Sequence, residues 1–412
     1  MNALKITTQW LLITLILAAC SQDTDTAATS EDYQKTLMTQ LIEAQPGDVI
    51  DIPAGTFHFN RGLTLNQNGI TLRGQGMDQT ILSFKNQIQG AEGLFVSGND
   101  FTIEDLAIED AKGDALKINE GRNIVIRNVR TEWTNGPDTD NGAYGIYPVQ
   151  TENTLIEGSV AIGASDAGIY VGQSRNVIVR NSRAEYNVAG IEIENTQGAD
   201  VYGNLATNNT GGILVFNMPN LPIPGKGTRV YDNDVTGNNT GNFAHKGAAV
   251  ASVPAGSGVV INSNDQVEIF NNRIKDNDTA NIIISSAQST GYYEADNEAA
   301  SFDPYPESIF IYDNTFEGGG KSPDHLELKA LKVLEFGITG ALPDILWDGY
   351  YDPEKQVDGQ TPDALKICVQ NGEAGLINVD APGGFDNIST DMSPHNCELP
   401  KLPAVSLEGA EA

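Results

Sequence analysis

The sequence predicts an all-β solenoid of stacked coils, each about 22 residues long, and three observations carry that prediction. Segments of one form recur along the chain: NIVIRN at 123–128, NVIVRN at 176–181, RVYDN at 229–233, QVEIFN at 266–271 and SIFIYD at 308–313. Two apolar registers also advance together. The first runs Leu72, Ile103, Ile126, Ile156, Val179, Val201 and Val230, with steps of 23, 30, 23, 22 and 29 from Ile103 onward. The second runs Leu94, Leu116, Ile146, Ile169, Ile191 and Ile213, each after a glycine or alanine, with steps of 22, 30, 23, 22 and 22. The same insertion falls in the same coil of both registers. The third observation is composition: 43 glycines and abundant Asn mark a turn-rich β protein, because both residues tolerate left-handed corners. A leucine-rich repeat has a similar period, but its LxxLxL pattern and helical return segments are missing. Two or three short strands per coil remain, spaced ~4.8 Å up the stack, with apolar residues inward and alternate residues outward.

Taken in order, the chain opens with one charge, Lys5, before the mostly apolar run 10–17 and then Leu17-Ala18-Ala19-Cys20. The run is too short for a permanent membrane span and ends in small residues, as an export leader does. Leu-Ala-Ala-Cys resembles the lipobox of bacterial lipoproteins. The resemblance implies that residues 1–19 are removed, that Cys20 carries the lipid, and that the membrane is a partner through this anchor alone. Ser21 in place of Asp points to outer-membrane sorting. Residues 20–30 are small and polar and read as a flexible tether. Residues 31–44 read as an amphipathic helix with Leu37, Leu41 and Ile42 on one side, capping the lower end of the stack.

The stack then begins with QPGDVIDIPAGTF at 45–57 and GITLRGQG at 69–76. With the repeats, these segments resemble the right-handed parallel β-helix proteins of the pectate-lyase-like superfamily, over roughly residues 40–320. The resemblance implies a single right-handed parallel β-helix over 31–320 with its N-terminal cap. It leaves activity open, since this fold hosts lyases, hydrolases, epimerases and non-catalytic adhesins. Residues 321–412 read as a C-terminal cap and tail, partly helical over 322–348. Cys368 and Cys397 are an isolated pair, most simply a disulfide in an oxidising compartment. A metal site with His395 as third ligand is the alternative, but neither cysteine sits in a CxxC. His58, His245, His325 and His395 lie far apart in sequence and suggest no histidine constellation.

The formal charge of −31 excludes nucleic acid as a partner and disfavours a polyanionic ligand unless a cation intervenes. In the second register, the residue after each inward one must point out. That row reads Phe95, Lys117, Tyr147, Tyr170, Glu192, Leu214, and two residues on it reads Ser97, Asn119, Val149, Gly172, Glu194, Phe216. Asp114, Tyr144 and Asp166 sit where these strands start. Tyrosines stack on sugar rings while carboxylates and amides bond hydroxyls, so polysaccharide is the expected ligand of this face. Lys117, Tyr147, Tyr170 and Glu192 are the candidate catalytic residues; Asn119, Tyr144, Asp166, Glu194 and Phe216 are the candidate binding residues. A Lys or Tyr base suits a lyase or epimerase, and Glu192 with Asp166 suits hydrolysis. Loops at 135–142 and after Phe216 overhang the face as groove walls. Asp138, Asp140 and Asn141 in the first loop offer hard oxygens for Ca²⁺, although the twelve-residue calcium-loop pattern is absent. The Asp-Pro-His-Asp run of alginate epimerases and the Asn-Gly-x-Glu run of β-helix alginate lyases are also absent, and the stripe holds no arginine. The alternative is a non-catalytic structural or protein-interaction module.

Overall fold

The computed structural model describes residues 30–292 and 302–407. The expected Cys20 lipid site, leader and most of the tether lie outside the described residues. The chain winds as a right-handed parallel β-helix, and every strand pairing in its two long sheets is parallel. A typical coil is Ala167–Gly172, Arg175–Arg180 and Arg183–Glu185: one strand in the second sheet, then two in the first. Both registers read from the sequence hold residue for residue. Ile126 lies beside Ile156, Ile156 beside Val179, and Val201 beside Val230. Likewise Leu116 lies beside Ile146, and Ile169, Ile191 and Ile213 follow one another. These side chains are fully buried and form one continuous core inside the coils.

The corners use Asn twice over. At Asn208, Asp232, Asn271, Asp276 and Asp313 the backbone is left-handed, which short polar side chains tolerate. The next residue in each case is an asparagine that turns inward. Asn204, Asn233, Asn272, Asn314 and Asn371 form one ladder, each amide donating to the next at 2.9–3.0 Å. Asn187, Asn209, Asn238 and Asn277 form a second, at 3.0–3.1 Å. The ladders satisfy buried polar groups that the tight corners cannot pair within the sheets.

Helix α1 (Ser30–Glu43) closes the lower end with Leu37 and Leu41 buried, as expected. Ile42 departs from the expectation: it is 67 % exposed, because one residue past Leu41 turns it about 100° off the buried face. At the other end the stack does not stop near 320. Ile345–Trp347 pairs with Ala280–Ser285, Ile367–Gln370 with Ile309–Tyr312, and Leu376–Asn378 with Ile345–Trp347. Long insertions between these strands break the 22-residue period that would have revealed them. A disulfide joins Cys368 to Cys397. The tail then runs back down the outer side of the first sheet. There Tyr202, Tyr231, Phe270 and Tyr312 stack at 4.8–5.0 Å. Lys401 lies over the Tyr312 ring, Val405 donates to Asp200, and Leu407 packs with Val125, Leu155 and Ile178.

The outer side of the second sheet is covered as well. Residues 237–256 are an insertion whose Val250 and Val253 join Tyr170, Leu214, Phe216 and Val260 in a separate buried cluster. Leu328, Leu331 and Phe336 of the later helix Leu326–Phe336 pack on the same cluster. Among the described residues no helix is long and apolar enough to cross a membrane.

Candidate functional site

The outward rows fall where alternation puts them. Phe95, Lys117 and Tyr147 are register neighbours, as are Tyr170, Glu192 and Leu214, and Gly172, Glu194 and Phe216. Outward from the coil is not outward to solvent, however. Tyr170, Glu192 and Phe216, expected on an open groove, are 4 %, 1 % and 2 % exposed. The 237–256 insertion, which lies outside the repeat, supplies cover, and the Leu326–Phe336 helix packs on the same apolar cluster. Lys117, Asn119, Tyr144, Tyr147, Asp166 and Glu194 stay half-buried, so the face is a partly covered recess, not an open groove.

Within it, Tyr144, Tyr147 and Tyr170 form a ring triad with centroids 4.4, 4.7 and 4.9 Å apart. The Tyr170 hydroxyl donates to Glu194 Oε1 at 2.6 Å. Gly172 makes that reach possible, since a Cβ there would lie 2.3 Å from the Tyr170 oxygen. Tyr144 bonds Asp166. Tyr292 closes the far side through hydrogen bonds to Ser252 and the Ala249 carbonyl of the insertion. Lys117 Nζ lies 3.4 Å from Asp114, 3.9 Å from Glu92 and 4.9 Å from the Tyr147 ring centre. Asn119 makes no side-chain hydrogen bond among the described residues.

Asp166, Glu192 and Glu194 therefore crowd into one low-dielectric space. Burial, reinforced by the Glu194 charge, lifts Asp166 to about 7. Burial and the two neighbouring carboxylates push Glu192 well above the usual carboxylate range, and its Oε2 is buried without a partner. Burial also raises Glu194, while the Tyr170 hydrogen bond opposes the rise by favouring its anion. Burial raises every tyrosine of the recess, Tyr147 and Tyr292 to about 12. At neutral pH these hydroxyls are donors, not the bases a lyase reading asks of Tyr147 or Tyr170. Lys117 is held between acids, which suits positioning rather than proton abstraction. The chemistry left to the recess is proton traffic between carboxyls.

The loop read as a Ca²⁺ candidate is organised by its own side chains. Asp138 accepts from the Asp140 amide at 2.9 Å, and Asn141 donates to Gly136 and Gly163 carbonyls at 2.8 and 2.6 Å. Asp138 and Asp140 are exposed. Among the described residues, the acidic groups whose oxygens converge are Asp265, Asp303 and Glu307, and Lys355 pairs with the last two. No sequence signal marked that group, because Asp265 lies 38 and 42 residues from Asp303 and Glu307.

A family model described as "Right handed beta helix region" matches residues 56–235 and 139–322. Among solved structures, the chain resembles the A-module of the Azotobacter vinelandii mannuronan C-5 epimerase AlgE6, with a TM-score of 0.50 and 16 % identity over 83 % of this chain and 88 % of that one. It also resembles an alginate lyase from Paenibacillus sp. str. FPU-7, with a TM-score of 0.43 and 15 % identity over 71 % and 95 % of the two chains. A search of curated proteins finds no match.

Proposed function

Given that the chain belongs to the right-handed β-helix region family, we propose that it is an exported, lipid-anchored glycan-processing protein whose recess hydrolyses a neutral saccharide. The observation that carries this reading is the grouping of Asp166, Glu192 and Glu194 beside a tyrosine triad that hydrogen-bonds two of them, on one partly covered face. Glycoside hydrolysis needs one protonated carboxyl and one carboxylate. Asp166, poised near neutrality, is the acid that protonates the leaving glycosidic oxygen. Glu194, whose anion the Tyr170 hydrogen bond favours against the rise that burial causes, takes the proton of the attacking water. Glu192 stays protonated beneath them, and the tyrosine rings and Lys117 orient the sugar. Likeness to an epimerase module is one of fold. The acidic recess itself disfavours a uronate, whose carboxylate finds Lys117 already paired. Export through the Cys20 leader agrees with the disulfide, which persists in oxidising compartments.

The test is turnover of β-glucan, xylan and α-glucan, followed by new reducing ends, beside alginate and pectate followed in the ultraviolet. Asp166→Asn and Glu194→Gln should each slow release of reducing ends by about 10²–10⁴-fold. Unsaturated products from a uronate, with no turnover of neutral glycans, would replace hydrolysis by a lyase reaction. One observation favours a second reading as an interaction module: Leu326 and Leu334 of the Leu326–Phe336 helix and Ile338 just after it stand 76–82 % exposed. Silence across all glycans, with Leu334→Asp abolishing capture of a protein partner, would select it.

A further inference from the structure

A cavity of about 470 Å³ opens between the last strands of the two sheets, lined by Trp347 from the second and Ile367 from the first. It is separate from the recess. From the Ala189–Glu194 strand to Ile345–Trp347 is four strand steps, about 19 Å along the stack. Its size falls within the roughly 300–1,000 Å³ of small-molecule sites.

The lining is chemically specific. Trp347, Tyr350 and Tyr351 give it aromatic faces, and Pro306 and Pro394 continue the apolar wall. The charged groups at the rim are already engaged. Glu307 pairs with Lys355 at 2.7 Å, Lys366 with Asp363 at 2.7 Å, and Asp391 accepts from Ser393 at 2.8 and 2.9 Å. Of the uncharged groups, Thr361 and Ser389 accept from Gln356 and Asp391, while others are free. The side-chain amide of Gln360 and the Asn378 Nδ2 make no hydrogen bond among the described residues, and the indole N–H of Trp347 is buried without an acceptor. His395 has one ring nitrogen, Nδ1, 2.9 Å from the Ile367 carbonyl, and burial holds its pKa down. The neutral imidazole therefore donates from Nδ1 and keeps Nε2 as an acceptor. Its ring meets Trp347 edge-on at 5.4 Å.

The wall is also fixed in place. The segment carrying Tyr350, Tyr351 and Gln360 is anchored by Lys355, which sits among Asp303, Glu307 and Asp352. His395 is anchored from behind by the Cys368–Cys397 disulfide two residues away. Aromatic faces with free, uncharged donors and an acceptor match a polyhydroxylated, uncharged ring. An anion finds no free cation there, and a purely apolar ligand leaves the amides unpaired.

We propose that this cavity is a second, non-catalytic binding site for a neutral mono- or disaccharide unit. This site stands whether or not the recess carries out chemistry.

The experiment is calorimetric titration of the full chain with maltose, cellobiose and xylobiose, repeated with Trp fluorescence as a local reporter. At least one sugar should bind saturably and change the emission. Asp166→Asn should keep that binding. Tyr351→Ala and Gln360→Ala, both at exposed positions, should each weaken it tenfold or more, and Tyr351→Phe should restore it. Absence of saturable binding by all three sugars overturns the proposal. So does binding lost in Asp166→Asn yet kept in Tyr351→Ala, which puts the sugar in the recess. Equal affinity for a digalacturonate overturns the uncharged ligand class. Failure of recess turnover with intact cavity binding overturns the proposed hydrolysis alone.

Discussion

The carboxyl of Asp166 changes charge near neutrality because the recess strips its water while Glu194 sits nearby as an anion. Two consequences follow for pH. If Asp166 is the acid, glycan turnover should fall as pH rises through about 7, and Asp166→Asn should remove that limb from the rate profile. Stability runs the same way. A carboxyl whose folded pKa is raised keeps a proton the unfolded chain has lost, so between about 4 and 7 the fold loses stability as pH rises. Glu192 shares that sign and is deeper. Glu192→Gln, uncharged and of the same shape, should match the parent chain in urea at pH 4 and exceed it at pH 8. An equal midpoint shift at both pH values would refute a buried proton on Glu192. Gly172→Ala should push the Tyr170 ring off Glu194, which a changed tyrosine spectrum and lost turnover would report.

Strands and corners show what the sequence could and could not say. Ile126, Ile156 and Val179 were legible as neighbours because an alternating pattern repeated over many coils leaves one register in which every apolar residue faces in. The tyrosines and carboxylates of the recess were legible for the same reason. Their burial was not. Val250, Val253, Leu328 and Phe336 come from segments without a period, and nothing local says that an irregular segment folds over a strand. The Asn-rich corners were half legible. Left-handed positions such as Asn208 and Asn271 follow from residue type, while the inward ladder at Asn209 and Asn272 needs three-dimensional stacking to exist. The distinction is testable. Asn233→Ala strips the partner of buried Asn204 groups and should cost about 1–3 kcal/mol in chemical denaturation. Asn176→Gly, at an exposed left-handed corner, should leave stability within about 0.5 kcal/mol.

Across the whole molecule, stability passes from coil to coil, since each coil touches chiefly its neighbours. The exceptions are the lower helix α1, the cover over the recess and the tail. Removing the disulfide by Cys368→Ser with Cys397→Ser releases a constraint on a separation of 29 residues. The chain-entropy estimate for such a loop is about 3 kcal/mol. The loss should appear as early proteolysis near residue 400, with core amides exchanging at the parent rate; uniform loss of protection would mean the bond holds the entire stack.

The tail carries a consequence for the order of assembly. Leu407 rests on Val125, Leu155 and Ile178, which precede it by some 230 to 280 residues. Coils can template one another upward from α1 as they become free to fold, yet those three side chains keep an uncovered outer face until the segment around Leu407 arrives. A folding chain thus carries a hydrophobic seam along its flank that the segment around Leu407 zips shut. That seam is where an escorting chaperone would find this protein before it is finished and lose its grip once it is.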